Sequence, residues 1–207
     1  MLFRAWKDAP GPQRLHIEGT IESLVQCAVL ARSPPLLTSI LHVLDYLHQQ
    51  RLANNPTARA LETLLCRCYE PIAFPALAAA NPLVRANAVR VVAAAFPIQD
   101  SARSVSDNDA LVARAVGGVS DALTDPSPAV RVAAAEGAAA LLGSFWELVP
   151  RQHQRCLLDT LSGKLAFDGA SPLVRAAAVD SLALVMDNPL SGEALRPVLP
   201  RLAPLVR

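Results

Sequence analysis

Lysine is nearly missing from this chain: of 19 basic residues only Lys7 and Lys164 are lysine. Eighteen acidic residues leave a formal net charge of +1, so the overall charge does not point to a polyanion-binding protein. Arginine suits bidentate carboxylate or phosphate pairing, although a GC-rich coding sequence also explains a chain rich in alanine, arginine and proline, and that explanation is preferred. Aromatic residues make up only 4%, and none is interleaved with Arg59, Arg67, Arg90 or Arg114 as single-strand binding requires. No apolar stretch reaches the ~18–20 clean residues of a membrane span, since Arg90 and Glu136 interrupt the longest ones. Met1 to Lys7 has no apolar core of a signal peptide. The four cysteines (Cys27, Cys66, Cys68, Cys156) form no Cys-x-x-Cys pair, and His16, His42, His48 and His153 supply no zinc spacing. Four reduced thiols inside a cell, with no metal site, are expected. Ser144, Ser162 and Ser181 lack a Gly-x-Ser-x-Gly surround, and no glycine-rich phosphate loop is present. Neither Glu70 nor Glu136 has a second carboxylate at helical spacing. No catalytic residue, metal or cofactor is therefore expected, and the chain is read as not an enzyme.

What is present is repetition. Asn81-Pro82-Leu83-Val84-Arg85 returns as Pro126-Ser127-Pro128-Ala129-Val130-Arg131 and again as Ser171-Pro172-Leu173-Val174-Arg175. Each copy puts a turn and a proline ahead of an apolar helical pattern, which is a helix start because proline at the first helical position forfeits no hydrogen bond. The apolar or small positions also agree: 84, 88, 91, 92 and 95, then 130, 134, 137, 138 and 141, then 174, 178, 181, 182 and 185. These offsets trace one stripe of a helix. Val84, Val130 and Val174 are expected in equivalent buried environments, and Arg90, Glu136 and Asp180 in solvent. The repeating arginine, at 85, 131 and 175, has the ~40–47-residue period of HEAT or armadillo repeats. The fold class is all-α, an α-solenoid of HEAT-type antiparallel helix pairs.

The chain reads as one segment with approximate repeats at 13–52, 57–97, 110–149 and 151–188, a partial repeat at 191–206 and a polar loop at 98–109. Pro71 and Pro75 should kink or divide the helix of 57–80. Gly117-Gly118 reads as a bend. The alanine- and glycine-rich stretch from Gly137 to Ala140 should let a neighbour approach closely. The last segment looks like a first helix lacking its second, so the chain is expected to be part of a longer one.

Several blocks are more specific than the repeat. Phe3-Arg4-Ala5-Trp6-Lys7, Tyr69-Glu70-Pro71-Ile72, Ala95-Phe96-Pro97-Ile98, Phe145-Trp146-Glu147, Lys164 to Asp168 and Asp187 to Ser191 resemble the G-type non-SMC subunits of condensin II, in the family's order and over nearly the whole chain. The loop 99–109 and the alanine content of 129–143 depart from the family pattern. The resemblance implies a kleisin partner, the SMC ATPase pair reached through that kleisin, and chromosomal DNA held weakly by this segment. It also implies a nuclear, chromosomal location and a part in mitotic chromosome condensation, with no membrane. The alternatives are a general HEAT scaffold of the nuclear-transport or phosphatase-scaffold kind and, behind it, a HEAT-repeat metal hydroxylase. The hydroxylase uses His-Glu dipeptides, and none occurs here.

Residue roles are weighed on the same footing. Arg85, Arg131 and Arg175 are expected to form a ladder, each bonding an acid or amide in the adjacent turn, with Asn81, Asp125 and Asp168 as candidates. Phosphate contact is the competing reading. In the loop, Ser101, Ser104 and Ser106 beside Asp107 and Asp109 belong to a solvated connector in which Ser106 or Asp107 caps the next helix. The sharper alternative is a phosphorylation site. Which surface binds DNA or a partner is not written in the sequence.

Overall fold

Proline sets the helix starts. α2 (Gly11–Leu30), α3 (Pro34–Gln50), α4 (Pro56–Ala76), α5 (Pro82–Ala95), α7 (Pro128–Ser144) and α9 (Pro172–Met186) each carry a proline at the first or second helical position. There the missing N–H would be unbonded in any case. Side-chain caps complete three of these ends: Asn55 accepts from the Ala58 N–H, Asn81 from Leu83 and Ser171 from Val174. α1 (Leu2–Asp8), α6 (Val105–Ala122), α8 (Arg151–Gly163) and α10 (Gly192–Leu195) complete the α-helices. The computed structural model describes residues 1–51, 53 and 55–206, and among them there is no strand.

The helices stack as an all-α solenoid. α5, α7 and α9 lie side by side in one layer and make its most extensive helix–helix contacts. α4 pairs with α5, α6 with α7 and α8 with α9, while α2 packs across both α4 and α5. The stripe positions are buried as their spacing predicts, from Ala88, Val91, Val92 and Ala95 to Val174, Ala178, Ser181, Leu182 and Val185. Val84 is the exception: it is only half-buried, whereas Val130 and Val174 are fully enclosed. The unit before α5 is the divergent pair α2–α3, not another copy, and Val84 packs at the edge of the core. Glu136 and Asp180 are exposed as expected, and Arg90 is half-exposed and reaches Glu136 at 3.2 Å.

Alanine and glycine decide how close the layer can pack. A Cβ added at Gly137 would lie 3.3 Å from the Ala93 Cβ and 3.5 Å from Val89 Cγ1, so α5 and α7 meet almost backbone to backbone. Gly118 does not bend the chain. It lies inside an unbroken α6, and its missing side chain makes room for Leu77.

Other expectations need correction. The segment 98–109 is a connection only as far as Ser104; α6 already begins at Val105 because Ser104, not Ser106 or Asp107, is its cap, accepting from the Asp107 N–H. α4 is not divided at Pro71 or Pro75 but runs through both. The tertiary packing of Tyr69, Ala73 and Phe74, all buried, offsets the two lost hydrogen bonds. The segment 191–206 is not one helix. Pro197, Pro200 and Pro204 split it into α10 and a 3₁₀ stretch, Leu199–Val206. α1 was not anticipated; its Trp6 is buried and donates from Nε1 to Glu18 at 3.2 Å. Leu52 and Asn54, at the end of the first expected repeat and in the turn after it, lie outside the described residues.

Leu141→Ala should cost ~2–5 kcal/mol in chemical denaturation, because Leu141 is fully buried between α7 and its neighbours. Glu136→Ala should stay within ~1 kcal/mol, and equal losses would mean the helix face is wrongly assigned. Gly137→Val should cost about 1–3 kcal/mol by overpacking.

Candidate functional site: the arginine ladder

Each repeated arginine follows a valine on the stripe by one residue, so it leaves the core at the turn that joins the two helices of its unit. There it meets backbone carbonyls of the turn itself, which lie beyond the hydrogen-bond ladder of either helix. Arg85 Nη1 donates to the Ala79 and Ala80 carbonyls at 2.8 and 2.9 Å. Arg131 Nη1 donates to Asp125 and Pro126 at 2.8 and 3.1 Å, and Arg175 Nη1 to the Asp168 carbonyl at 2.7 Å. The rest of the guanidinium reaches the next turn along the stack. Arg85 grips the Asp125 carboxylate with both Nε and Nη2, at 2.7 and 2.9 Å. Arg131 Nη2 lies 2.9 Å from Asp168 Oδ2.

Two of the three candidate acceptors are thus brought to an arginine. Asn81 is not: its side chain caps α5, and the place that Asp125 holds six residues before Arg131 is held by Ala79 before Arg85. Spacing from the arginine, read turn by turn, would have exposed that difference. Arg175 bonds its own turn, and no carboxylate faces it among the described residues.

The aspartates also brace their own turns, Asp125 accepting from the Ser127 N–H and Asp168 from Ala170 and Ser171. The Arg85 hydrogen bonds hold the Asp125 carboxyl below the ordinary aspartate value of 3.8. At Asp168 burial opposes ionisation, but the two backbone N–H bonds and Arg131 outweigh it, and that carboxyl is lowered too.

A second set of contacts was not foreseen. Asp100, buried in the connection before α6, accepts from Thr63 Oγ1 at 2.8 Å, and its backbone exchanges two bonds with the Asn108 side chain. Arg103 joins it to Glu70 on α4, where Arg114 also arrives at 3.8 Å and lies over the Phe74 ring. The connection is therefore bonded against α4. Ser104 Oγ accepts from the Asp107 N–H and donates to the Asp107 carboxylate, the Ser101 N–H donates to Glu62, and all three serines, Ser101, Ser104 and Ser106, are exposed. Amides tie distant ends as well: the buried Asn87 donates to the Val29 and Ala31 carbonyls, and the half-buried Asn188 to Leu142 and Gly143. Asn87 stands where the other copies have Ala133 and Ala177, a polar break in the repeat that could have flagged it.

The buried His48, Cys66 and Cys68 are held in their neutral forms. His48, hydrogen-bonded to the Tyr69 hydroxyl at 2.8 Å, is pushed down to about 3 by burial with help from Arg51, so it stays neutral. Burial pushes the Cys66 thiol up to about 12 and Cys68 up to about 11. Among the described residues, no three His, Cys, Asp or Glu side chains gather as a metal site would need, and no helix is long and apolar enough to cross a membrane.

Comparison with known proteins accounts for the specific blocks. Residues 1–100 match the family model described as the condensin II non structural maintenance of chromosomes subunit. Over 202 residues, 97% of the chain, it is 35% identical to the Condensin-2 complex subunit G2 of Danio rerio and 34% to that of Xenopus laevis. The human protein of that name is 33% identical over the same length. Over nearly its whole length the chain is similar to condensin II non-SMC subunits. It spans 17% of the length of these relatives.

Within this segment, the ladder should be measurable by a double-mutant cycle. Arg85→Gln and Asp125→Asn should couple more strongly than Arg90→Gln and Glu136→Gln, since the latter pair is more exposed. Because the folded state lowers both aspartate values, the unfolded chain takes up more protons on acidification. The stability these carboxylates contribute is complete above ~4 and is lost as pH falls through their lowered values. A melting-temperature profile from pH 7 to 2 should flatten in its acid limb in Asp125→Asn.

Proposed function

We propose that this chain is a non-catalytic HEAT-type scaffold segment that works within a condensin II complex. Its relatives are named as subunits of that complex, and the similarity runs through all the stacked repeats; that continuity is the observation that carries the reading. The family resemblance supplies the partners: a kleisin, the SMC ATPase pair reached through it, and chromosomal DNA, in the nucleus, during chromosome condensation. In this reading the Arg85–Asp125 and Arg131–Asp168 pairs hold neighbouring repeats in register, so that the outer surface reaches a partner as one rigid strip.

The charge distribution supports a modest share for DNA. Arg67, Arg85, Arg90, Arg103, Arg114, Arg131 and Arg201 each pair with a carboxylate of this chain. Arg85 and Arg131, enclosed in their pairs, are not free to neutralise phosphates, while exposed pairs such as Arg67–Glu18 hold their cation only weakly; a net charge of +1 leaves modest basic character. Ser101, Ser104 and Ser106 are all exposed, Ser104 is engaged in the cap of α6, and phosphorylation is proposed to act at Ser101 or Ser106.

Two measurements test this. A pull-down with a condensin II kleisin should retain the chain, whereas a nuclear-transport or phosphatase-scaffold partner should not; the reverse result would move it to the general scaffold class. Fluorescence anisotropy with a labelled duplex should give weak binding, ~10⁻⁴–10⁻⁶ M, falling steeply with salt. Nanomolar affinity with little salt dependence would contradict it.

A further inference from the structure

A buried thiol lies beneath the connection that leads into α6. Glu62, Cys66 and Glu70 stand four residues apart on one face of α4. The outer two bond the connection: Glu62 Oε2 accepts from the Ser101 N–H at 3.3 Å and Glu70 Oε2 from Arg103 Nη2 at 2.9 Å. Cys66, at 1% exposure, lies between them, close enough to Asp100 and Arg103 to feel both charges. Thr63 completes the seam by donating to Asp100 Oδ1 at 2.8 Å. Three carboxylates therefore hold this stretch, and Arg103 is the one cation between Gln99 and Ser104.

Ser101 stands in that seam. It is exposed, and its hydroxyl bonds no group among the described residues. It lies in a turn ahead of the helix, a form that enters the extended substrate groove of a kinase more readily than the first helical turn, where Ser106 sits. The two serines also meet opposite fields. An anion on Ser106 joins the N-terminus of α6, where the helix dipole favours it. A phosphate on Ser101 adds roughly −1.5 to −2 charge to the residue whose N–H Glu62 holds, next to the buried Asp100.

We propose that Ser101 is the serine a kinase modifies, and that its phosphate repels Glu62 and draws Arg103 from Glu70, so that the connection lifts from α4. This rests on the proposed phosphorylation of the connection and narrows it to one residue. The γ-phosphoryl group of ATP passes to Ser101 Oγ: the Oγ–P bond forms as the bond to the β–γ bridging oxygen breaks. ADP leaves, and the hydroxyl proton goes to the kinase's base. Arg103 can change partner because its pair with Glu70 is half-exposed, and a phosphate two residues away is the stronger acceptor. Glu70 keeps a cation, since Arg114 Nη1 lies 3.8 Å from its Oε1. Ile98 and Leu111, both buried, confine the movement to the residues between them. The shallow groove between Thr63, Arg67, Glu70 and Pro71 on α4 and Asp100 and Arg103 on the connection then opens.

The test uses the whole chain, with phosphoserine placed by translational incorporation at position 101 or, for comparison, at position 106. Cys66 reports the lifting by mass-resolved alkylation, with the exposed Cys27 as reference. Its labelling should quicken at least about tenfold in the 101 form, and should not quicken in the 106 form. An added anion by itself disfavours the thiolate, so faster labelling reports exposure. Glu62→Gln, which keeps an acceptor for the Ser101 N–H but removes a repelling charge, should reduce the effect. Unchanged Cys66 labelling in the 101 form overturns the proposal, and equal quickening in both forms does so too, since it marks a general charge effect. Phosphopeptide mapping of the chain from its own cells should show occupancy at Ser101. Occupancy at Ser106 alone overturns the assignment while the broader phosphorylation proposal stands; occupancy at neither serine removes both.

Discussion

Close approach of α5, α7 and α9 is the constraint on which the rest depends. The arginine side chain has a fixed reach, and Arg85 must touch its own turn and Asp125 at the same time, with bonds of 2.7–2.9 Å on both sides. That is possible only if adjacent turns sit at the spacing set by the helices behind them. Gly137, against Ala93 and Val89, sets that spacing at its tightest point. A larger side chain there would press the two helices apart and stretch the Arg85–Asp125 bonds, so packing and electrostatics are coupled across the unit.

The same coupling explains why arginine, not lysine, stands at these positions. Each guanidinium serves backbone carbonyls with one nitrogen and a carboxylate with others, a division of planar, fixed donors that an ammonium cannot reproduce. Composition alone could not separate this from coding bias. The structure separates them at Arg85, where Nε, Nη1 and Nη2 are all bonded, and at Arg131, where Nη1 serves carbonyls and Nη2 a carboxylate while the buried Nε has no partner among the described residues.

What the sequence made legible was whatever repeats. The stripe, the proline-led helix starts and the charged positions between stripe residues were visible because three copies agree, and averaging over copies suppresses chance. The ladder partners were half legible: Asp125 and Asp168 stand at corresponding places before their arginines, but Asn81 resembled them only through its nearness to Pro82. What occurs once was not legible. Thr63 and Asp100 are joined across 37 residues and Glu70 and Arg103 across 33, with Arg114 beside them, by packing that no local pattern records. The start of α6 was placed late because Val105, at 78% exposure, and the polar residues after it carry no apolar stripe. Its cap, Ser104, was the one local signal.

Pairing has a consequence for how such a segment meets its surroundings. A guanidinium held by a carboxylate and by carbonyls is already dehydrated and partnered, so moving it to a phosphate would leave a partly buried aspartate alone, which costs more than an exposed contact returns. Arg85 and Arg131 are therefore committed to the fold, whatever the chain binds. Recognition then falls to residues outside the ladder: scattered cations, exposed apolar side chains and the edges of the stack. A solenoid built this way gathers affinity by length, many modest contacts along a rigid strip, and its neighbours in the assembly decide which of those contacts are made together.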